Sequence, residues 1–495
     1  MPRGARRQGR RSRRRDAPAL AAMSDVLRSV SPADPRDEIG TFAVADESAV
    51  DRAVARARRA FPAWRDAGLA SREKVLRSFA AIVKSRSDEL ARLLAREVGK
   101  ALWDARAEAA LLPAKVDLTL SDGMRAVAPI EGAAGARALY HPRGVLAVLG
   151  PFNFPVHLPN GHIVPALALG NTVVWKPSEL APAVARWVEG AWREAGLPSG
   201  VLEVVQGPAQ TGQFLALHPD VDAILFTGSW AVGHKLAAQV LEQPSKLVAL
   251  ELGGKNAIVV LRDADLTLAV AEAALSICAT TGQRCSSTSR IFVERPVFDA
   301  FTERLARVLQ GVRIGPPLEP GIFMGPLVSH AAHAKVLGYR ALAKQAGAER
   351  LVVVDPPLPP PFIGPGLVRF ADTRQEHAYQ RDEIFGPEAA LYPVDSLEQA
   401  IAAVNDSDFG LVASIMTADR AQFAYCMGRV RTGLLNWNRG TIGASGRLPF
   451  GGMKRSGNDR PAGILSALYC SVPQAYLEGS GGFDPAALPP GMPRP

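Results

Sequence analysis

GVLAVLGPFNFPVHLPNGHIVPALALGNTVVWKPSE, residues 144–179, alternates short apolar runs with a longer one. Gly144–Leu149 and Asn171–Trp175 are rich in β-branched and aliphatic residues and predict strands, and Leu158–Leu169 between them predicts a helix. The alternation continues downstream. Ala181–Ala195 reads as a helix, Val201–Val205 as a strand, Thr211–Leu217 as a short helix, Ala223–Phe226 as a strand and Val232–Leu241 as a helix. Strands separated by helices predict a parallel sheet covered on both faces. Ligands of such sheets lie beyond the carboxyl ends of the strands, in the turns.

A second series of the same kind begins at Asn256–Leu261. It runs through the helix Leu266–Ala279, which Asp265 can cap, the strand Arg290–Glu294, helices near Val297–Leu309 and Ala331–Ala346, and the strand Leu351–Val354. Pro356–Pro365 holds six prolines in ten residues and must be a loop. Upstream, Ser48–Ala60 and Arg72–Val98 have apolar residues at three- and four-residue intervals and read as amphipathic helices. The division expected is a tail at 1–22, one domain at 23–254, a second at 255–460, and a terminal segment at 461–495. Glu251–Gly254 is the junction, and segments 124–143 and 465–477 fit neither alternation.

At 495 residues the chain exceeds one comfortable core, which favours two or three domains. A hydrophobic fraction of 47% and a charged fraction of 21% describe an ordinary globular protein. No apolar run reaches the roughly 20 residues of a membrane helix. The net charge of +9 is concentrated: residues 1–22 carry eight arginines against Asp16, so the rest is close to neutral. Such a run repels itself and is expected to be disordered. It reads as a solvated tail or an extension upstream of a start at Met23, rather than as a nucleic-acid arm or a transit peptide. Four cysteines are too few for a disulfide framework and lie in no metal-ligand spacing, so no metal is expected, and a reducing, cytoplasmic compartment is.

The candidate chemistry clusters in the turns. Cys285 follows Thr281-Gly282-Gln283-Arg284, a glycine turn with polar flanks. A loop near backbone amides and Arg284 favours the thiolate that a nucleophile requires. Cys278, Cys426 and Cys470 read instead as small buried hydrophobes. Glu251 ends the run Lys246–Leu250 and precedes Gly253-Gly254, and burial there raises a carboxylate towards a useful base. Asn153, in Gly150-Pro151-Phe152-Asn153-Phe154-Pro155, can donate to a developing oxyanion, or it simply caps a turn. Lys176 and Glu179, in Trp175-Lys176-Pro177-Ser178-Glu179, can bond the hydroxyls of an adenosine ribose, and a carboxylate there disfavours a 2′-phosphate. Gly228-Ser229-Trp230-Ala231-Val232-Gly233 opens a helix whose N-terminus suits a pyrophosphate, although it departs from G-x-G-x-x-G. Gly207 and Gly212 add a further turn.

These motifs, over about residues 35–478, resemble the NAD(P)-dependent aldehyde dehydrogenase superfamily. Glu383-Ile384-Phe385-Gly386-Pro387 is similar to its E-x-F-G-P segment, and Pro449–Gly457 to its C-terminal glycine-rich segment. The resemblance implies two doubly wound parallel-sheet α/β domains plus a small β-segment for oligomerisation, built from 124–143 and 465–477, hence a homodimer or homotetramer. It implies NAD as cofactor, Cys285 as nucleophile, Glu251 as the base that activates water, and Asn153 as oxyanion donor. It also implies Glu383 on the nicotinamide ribose, Phe385 against the nicotinamide, and a structural role for the glycine-rich segment. The stretch His157–Pro165 and the run Asn436–Glu478 look most like the succinylglutamate-semialdehyde dehydrogenase subfamily of arginine catabolism. An alternative is another carboxylated or N-acylated semialdehyde, and a remote one a non-catalytic binding protein. His157 and His162 read as satisfied helix-start residues. For the substrate carboxylates, Arg284, Arg290, Asn438, Arg439, Ser445 and Arg447 are the candidates.

Overall fold

The computed structural model describes residues 25–133, 135–458, 462–479, 481–482 and 488–494. The arginine-rich run and the choice between Met1 and Met23 lie outside the described residues. The quoted stretch forms two neighbouring parallel strands, Val145–Leu149 and Thr172–Lys176, joined by the helix His157–Ala168. With Leu202–Val204, Ala223–Thr227 and Leu247–Glu251 they make a five-stranded, wholly parallel first sheet. Strand side chains alternate between the two faces. Leu146 and Val148 therefore join one core with Trp175 and the helices Gly68–Ser85, Leu102–Leu118 and His157–Ala168. Val145, Ala147 and Leu149 join the other core with the helix Glu47–Asp66. Both faces are dry, which explains why these strands read as continuous apolar runs.

The second sheet has seven strands. In order they are Glu349–Val353, Gly366–Arg369, Glu388–Val394, Thr288–Glu294, Asn256–Val260, Val412–Met416 and Leu434–Trp437. Every pairing is parallel except that of the edge strand Glu349–Val353. The chain passes from the first sheet to the second between Glu251 and Asn256. Segments 124–143 and 465–477 supply an antiparallel three-stranded sheet, in which Ser471–Leu477 pairs along Ala136–Pro142 and Ile130–Glu131 flanks it. The strand Ser471–Leu477 is largely exposed, Leu477 to 85%.

Several features differ from the sequence reading, which ended at Leu351–Val354 and so did not include the strands Gly366–Arg369, Glu388–Val394, Val412–Met416 and Leu434–Trp437. The helical stretch 72–98 is two helices, Gly68–Ser85 and Ser87–Val98, because Arg86 leaves helical geometry between them. The hairpin Val26–Val30 with Glu38–Ala43 and the helix Leu102–Leu118 were not expected. The buried face of Leu102–Leu118 carries Asp104, Glu108 and Lys115 while Trp103 and Leu111 are exposed, so the sequence shows no amphipathic stripe. Among the described residues no helix is long and apolar enough to cross a membrane, and no His, Cys, Asp and Glu cluster could hold a metal.

Candidate active site

A cavity of about 610 Å³ lies at the carboxyl ends of the first sheet, where its turns meet the second sheet. It gathers most of the residues singled out above. Asn153, Glu251 and Cys285 line it together with Lys176, Glu179, Gly212, Gly228, Ser229, Ala231, Val232, Glu383 and Phe385. Gly207, Trp230 and Gly233 do not reach its wall. Gly207 has φ +158°, and a Cβ there would overlap Thr211 Oγ1 at 2.0 Å. A Cβ on Gly233 would fall 2.6 Å from Leu252. The Trp230 ring stacks on His234 at 4.9 Å and lies under Arg455 at 5.6 Å. These three shape the turns rather than the cavity.

Cys285 is delivered by an unusual turn. The helix Leu266–Cys278 ends, and Thr280, Thr281 and Gly282 then take left-handed φ of 54°, 55° and 70°. Left-handed geometry in a β-branched residue costs of order 1–3 kcal/mol and persists only where surroundings enforce it. Here Thr280 Oγ1 donates to Asp104 at 2.5 Å and Thr281 Oγ1 to the Gly325 carbonyl at 2.9 Å. A Cβ on Gly282 would lie 2.2 Å from the Gly386 backbone, so the nucleophile loop touches the Glu383–Pro387 loop directly.

Asn256, which the sequence reading passed over, ties this loop down. Its Nδ2 donates to the carbonyls of Cys285 (2.7 Å) and Ser287 (2.9 Å), and its Oδ1 accepts from Val412 N at 3.0 Å. Thr441 Oγ1 adds a bond to the Ser286 carbonyl at 2.6 Å. Gly254 lies under the same loop, where a Cβ would be 2.5 Å from the Cys285 oxygen. Its neighbour Gly253 admits Glu383: a Cβ there would meet the carboxylate at 2.2 Å, and Gly254 N donates to Glu383 Oε1 at 2.9 Å.

Glu251 ends the last strand of the first sheet and is 1% exposed. The glycine-rich C-terminal segment clamps that strand end, in keeping with a structural role. Asn458 accepts from Leu250 N at 2.7 Å and donates to the Val248 carbonyl at 2.8 Å, while Leu252 N reaches the Ser456 carbonyl at 3.0 Å. Asn153, 4% exposed, sits in the loop before the helix His157–Ala168. Glu108 holds that loop by accepting from Val156 N and His157 N, and it is itself paired with buried Lys100 at 2.5 Å. Lys176 is buried and bonds Glu179 at 3.2 Å, so both groups stand at the same strand end.

One expectation is reversed. Burial, with Glu251 and Glu383 adding negative potential, pushes the Cys285 thiol well above its ordinary range, and Arg284 and the Ser286 amide oppose this only in part. Arg284 spends its charge elsewhere: Nη2 bonds Asp104 at 2.6 Å and Nε bonds Thr280 at 2.7 Å. In this state the sulfur is a thiol, and attack requires a base to remove its proton. Burial likewise raises Glu383 to about 7.

Three of the six candidates for the substrate carboxylates are already committed, Arg284 to Asp104 and Thr280 among them. Arg290 is buried and bonds the carbonyls of Lys255, Ala403 and Val404 and the Gln375 side chain. Asn438 closes both amide ends on Thr417. Arg447 is exposed and ion-paired with Asp122 at 2.6 Å. The histidine reading divides as well. His162 bonds Tyr469 Oη at 2.6 Å, as expected of a satisfied residue, but His157 Nδ1 is buried with no hydrogen-bond partner.

The aldehyde dehydrogenase family model matches residues 20–472, and the chain belongs to that family. It is 42% identical to N-succinylglutamate 5-semialdehyde dehydrogenase of Burkholderia thailandensis, over 92% of this chain and 93% of that one. Among solved structures it is similar to a putative aldehyde dehydrogenase from Burkholderia cenocepacia, with a TM-score of 0.88, 31% identity, and 95% and 96% of the two chains covered. It is also similar to a 1-pyrroline-5-carboxylate dehydrogenase from Thermus with bound NAD, with a TM-score of 0.85, 30% identity, and 91% and 89% covered.

Proposed function

We propose that the chain oxidises N-succinylglutamate 5-semialdehyde to N-succinylglutamate with NAD, a step of arginine catabolism. The observation that carries this reading is one cavity lined by Cys285, Glu251 and Asn153 and also by Lys176 and Glu179. The substrate is that of relatives 42% identical along almost the whole chain. The cavity's size and donor set suit a dinucleotide. Lys176 and Glu179 would hold the adenosine ribose, the helix opening at Trp230 the pyrophosphate, and Glu383 and Phe385 the nicotinamide end. When bound, NAD accepts the hydride from the substrate carbon.

The chain's own residues do the rest. Glu251 takes the proton of the Cys285 thiol, and the sulfur adds to the aldehyde carbon. The Asn153 amide and the Cys285 N–H donate to the oxyanion, each such donor supplying about 2.7–4 kcal/mol to the transition state. After oxidation the acyl group is a thioester on Cys285; Glu251, having released the thiol proton to solvent, deprotonates the water that adds to the thioester carbon, and the Cys285 thiolate leaves as the carboxylate forms. The exposed strand Ser471–Leu477 serves a homodimer or homotetramer, the domain division falls near residue 254, and a free thiol nucleophile fits the cytoplasm.

Purified protein is to be supplied with N-succinylglutamate 5-semialdehyde and NAD while NADH is followed at 340 nm. Turnover without added CoA is expected, together with complete loss of turnover but retained NAD binding in Cys285→Ala. Strict dependence on CoA, or turnover by Cys285→Ala, overturns the reading.

A further inference from the structure

Two loops from different sheets must meet for the oxyanion donors to act together. Asn153 lies beyond the strand Val145–Leu149 of the first sheet, and Cys285 lies between the helix Leu266–Cys278 and the strand Thr288–Glu294 of the second. Neither sheet by itself fixes the gap between the Asn153 amide and the Cys285 N–H. The helix Leu102–Leu118 spans it. Asp104 and Glu108 stand one turn apart on this helix, at the spacing that puts two side chains on one face, and both are buried.

Each carboxylate grips one loop. Asp104 accepts from Thr280 Oγ1 at 2.5 Å and from Arg284 Nη2 at 2.6 Å. Ser287 N donates to the Arg284 carbonyl at 3.0 Å, so the peptide plane that carries the Cys285 N–H is held as well. Glu108 Oε1 accepts from Val156 N at 3.2 Å and from His157 N at 3.1 Å, just beyond Asn153 and Pro155, whose ring stiffens the intervening chain. Buried Lys100 joins the two grips. Its Nζ bonds Glu108 Oε2 at 2.5 Å and lies 3.7 Å from the centre of the Phe154 ring, which the Arg284 guanidinium meets at 5.0 Å. Against burial, which opposes ionisation, Lys100, Arg284 and the Thr280 hydroxyl hold the Asp104 carboxyl below its ordinary value, so it is charged at neutral pH. Two carboxylates and two cations balance. Buried ion pairs contribute little net stability, because desolvation offsets their attraction. What these partners supply is directed, charge-assisted bonding.

We propose that Asp104 and Glu108 are positioning residues that set the separation of the two oxyanion donors, Asp104 through the Cys285 loop and Glu108 through the Asn153 loop. Neither lines the cavity, so each acts through the loop it holds. The assignment rests on the reading that Asn153 and the Cys285 N–H stabilise the oxyanion.

The test is a double-mutant cycle on the full chain. It reads the single-turnover rate of NADH formation from N-succinylglutamate 5-semialdehyde at saturating enzyme, which does not depend on the folded fraction. Asn153→Ala is expected to lower this rate about 10²–10³-fold. Glu108→Gln is expected to lower it about tenfold in the wild type but less than about twofold on top of Asn153→Ala, because no donor remains for it to place. Asp104→Asn is expected to lower it about tenfold. Alkylation of Cys285 by iodoacetamide needs the sulfur and no oxyanion donor, so it should slow less than about twofold in either variant. Asp104→Glu and Glu108→Asp keep the buried charges and shift each carboxylate by one methylene; they replace any variant that does not fold. An unchanged rate in either single variant, a full further tenfold loss on top of Asn153→Ala, or equal losses in NADH formation and alkylation overturns the assignment. A wild-type rate in Asn153→Ala refutes the oxyanion reading, and the assignment with it. Failure of the wild type on N-succinylglutamate 5-semialdehyde refutes only the substrate, and the same cycle is then run on the aldehyde that it does oxidise.

Discussion

Asn256→Asp changes one NH₂ group to oxygen at nearly constant shape, and its effect can be worked out in advance. The amide now donates to the Cys285 and Ser287 carbonyls at 2.7 and 2.9 Å and accepts from Val412 N. The carboxylate keeps the Val412 bond but turns an acceptor towards two acceptors. Leaving two buried carbonyls unpaired costs about 1–3 kcal/mol each, so about 2–6 kcal/mol is expected, a large share of a typical total of roughly 5–15 kcal/mol. The new carboxyl will resist ionising, so its folded pKa rises above the ordinary value. The deficit should therefore be smallest at acid pH, where the carboxyl is protonated and can donate to one carbonyl, and should grow as pH rises. The nucleophile also loses its anchor, and a displacement of about 1 Å can cost about 10²-fold in rate. Urea unfolding at pH 5 and 8, the pre-steady-state NADH burst and NAD titration by fluorescence quenching read these effects. Lower stability, a larger deficit at pH 8 and a slower burst are expected, with NAD affinity retained because Lys176 and Glu179 lie on the other sheet. A wild-type burst rate with an unchanged urea midpoint would refute the reasoning.

Three further outcomes follow from the same contacts. Gly253→Ala sets a Cβ 2.2 Å from the Glu383 carboxylate and should raise KM for NAD about tenfold by displacing it; an unchanged KM would show that Glu383 does not hold the cofactor. Because burial and two carboxylates raise the Cys285 thiol, its alkylation by iodoacetamide in the absence of cofactor should climb about tenfold per pH unit from 7 to 9, and a plateau near pH 7 would contradict the raised thiol. His162 is depressed from 6.5 to about 3, so its stabilising contribution is complete above pH 6.5 and is lost as pH falls towards 3. The loss runs at about 1.4 kcal/mol per pH unit, and His162→Gln should flatten the fall in urea midpoint between pH 7 and 5, whereas an identical acid slope would exclude this origin.

Much of the architecture was legible because period alone determines it. The short apolar runs 145–149 and 173–175, bounded by glycine and polar residues, read as strands dry on both faces, and the segment between them is long enough for a helix. The turns that follow such strands are where a parallel sheet binds its ligands, so Asn153, Lys176, Glu179, Ser229 and Glu251 stood out by position and residue type, while the family resemblance supplied their roles. Gly253 and Gly254 were legible as a close approach but not as to what approaches, which is the Glu383 carboxylate and the Cys285 carbonyl.

What tertiary structure alone decided lies in contacts between distant segments. Asp104 takes Arg284 across 180 residues and so removes the cation expected to favour a thiolate. Asn458 clamps the Glu251 strand from 208 residues away, and Arg290 vanishes into four buried hydrogen-bonding groups. Residue type states what a side chain can bond, and local period states which face it lies on. Which partner consumes its charge, and how much water it retains, depends on long-range packing that no local pattern encodes.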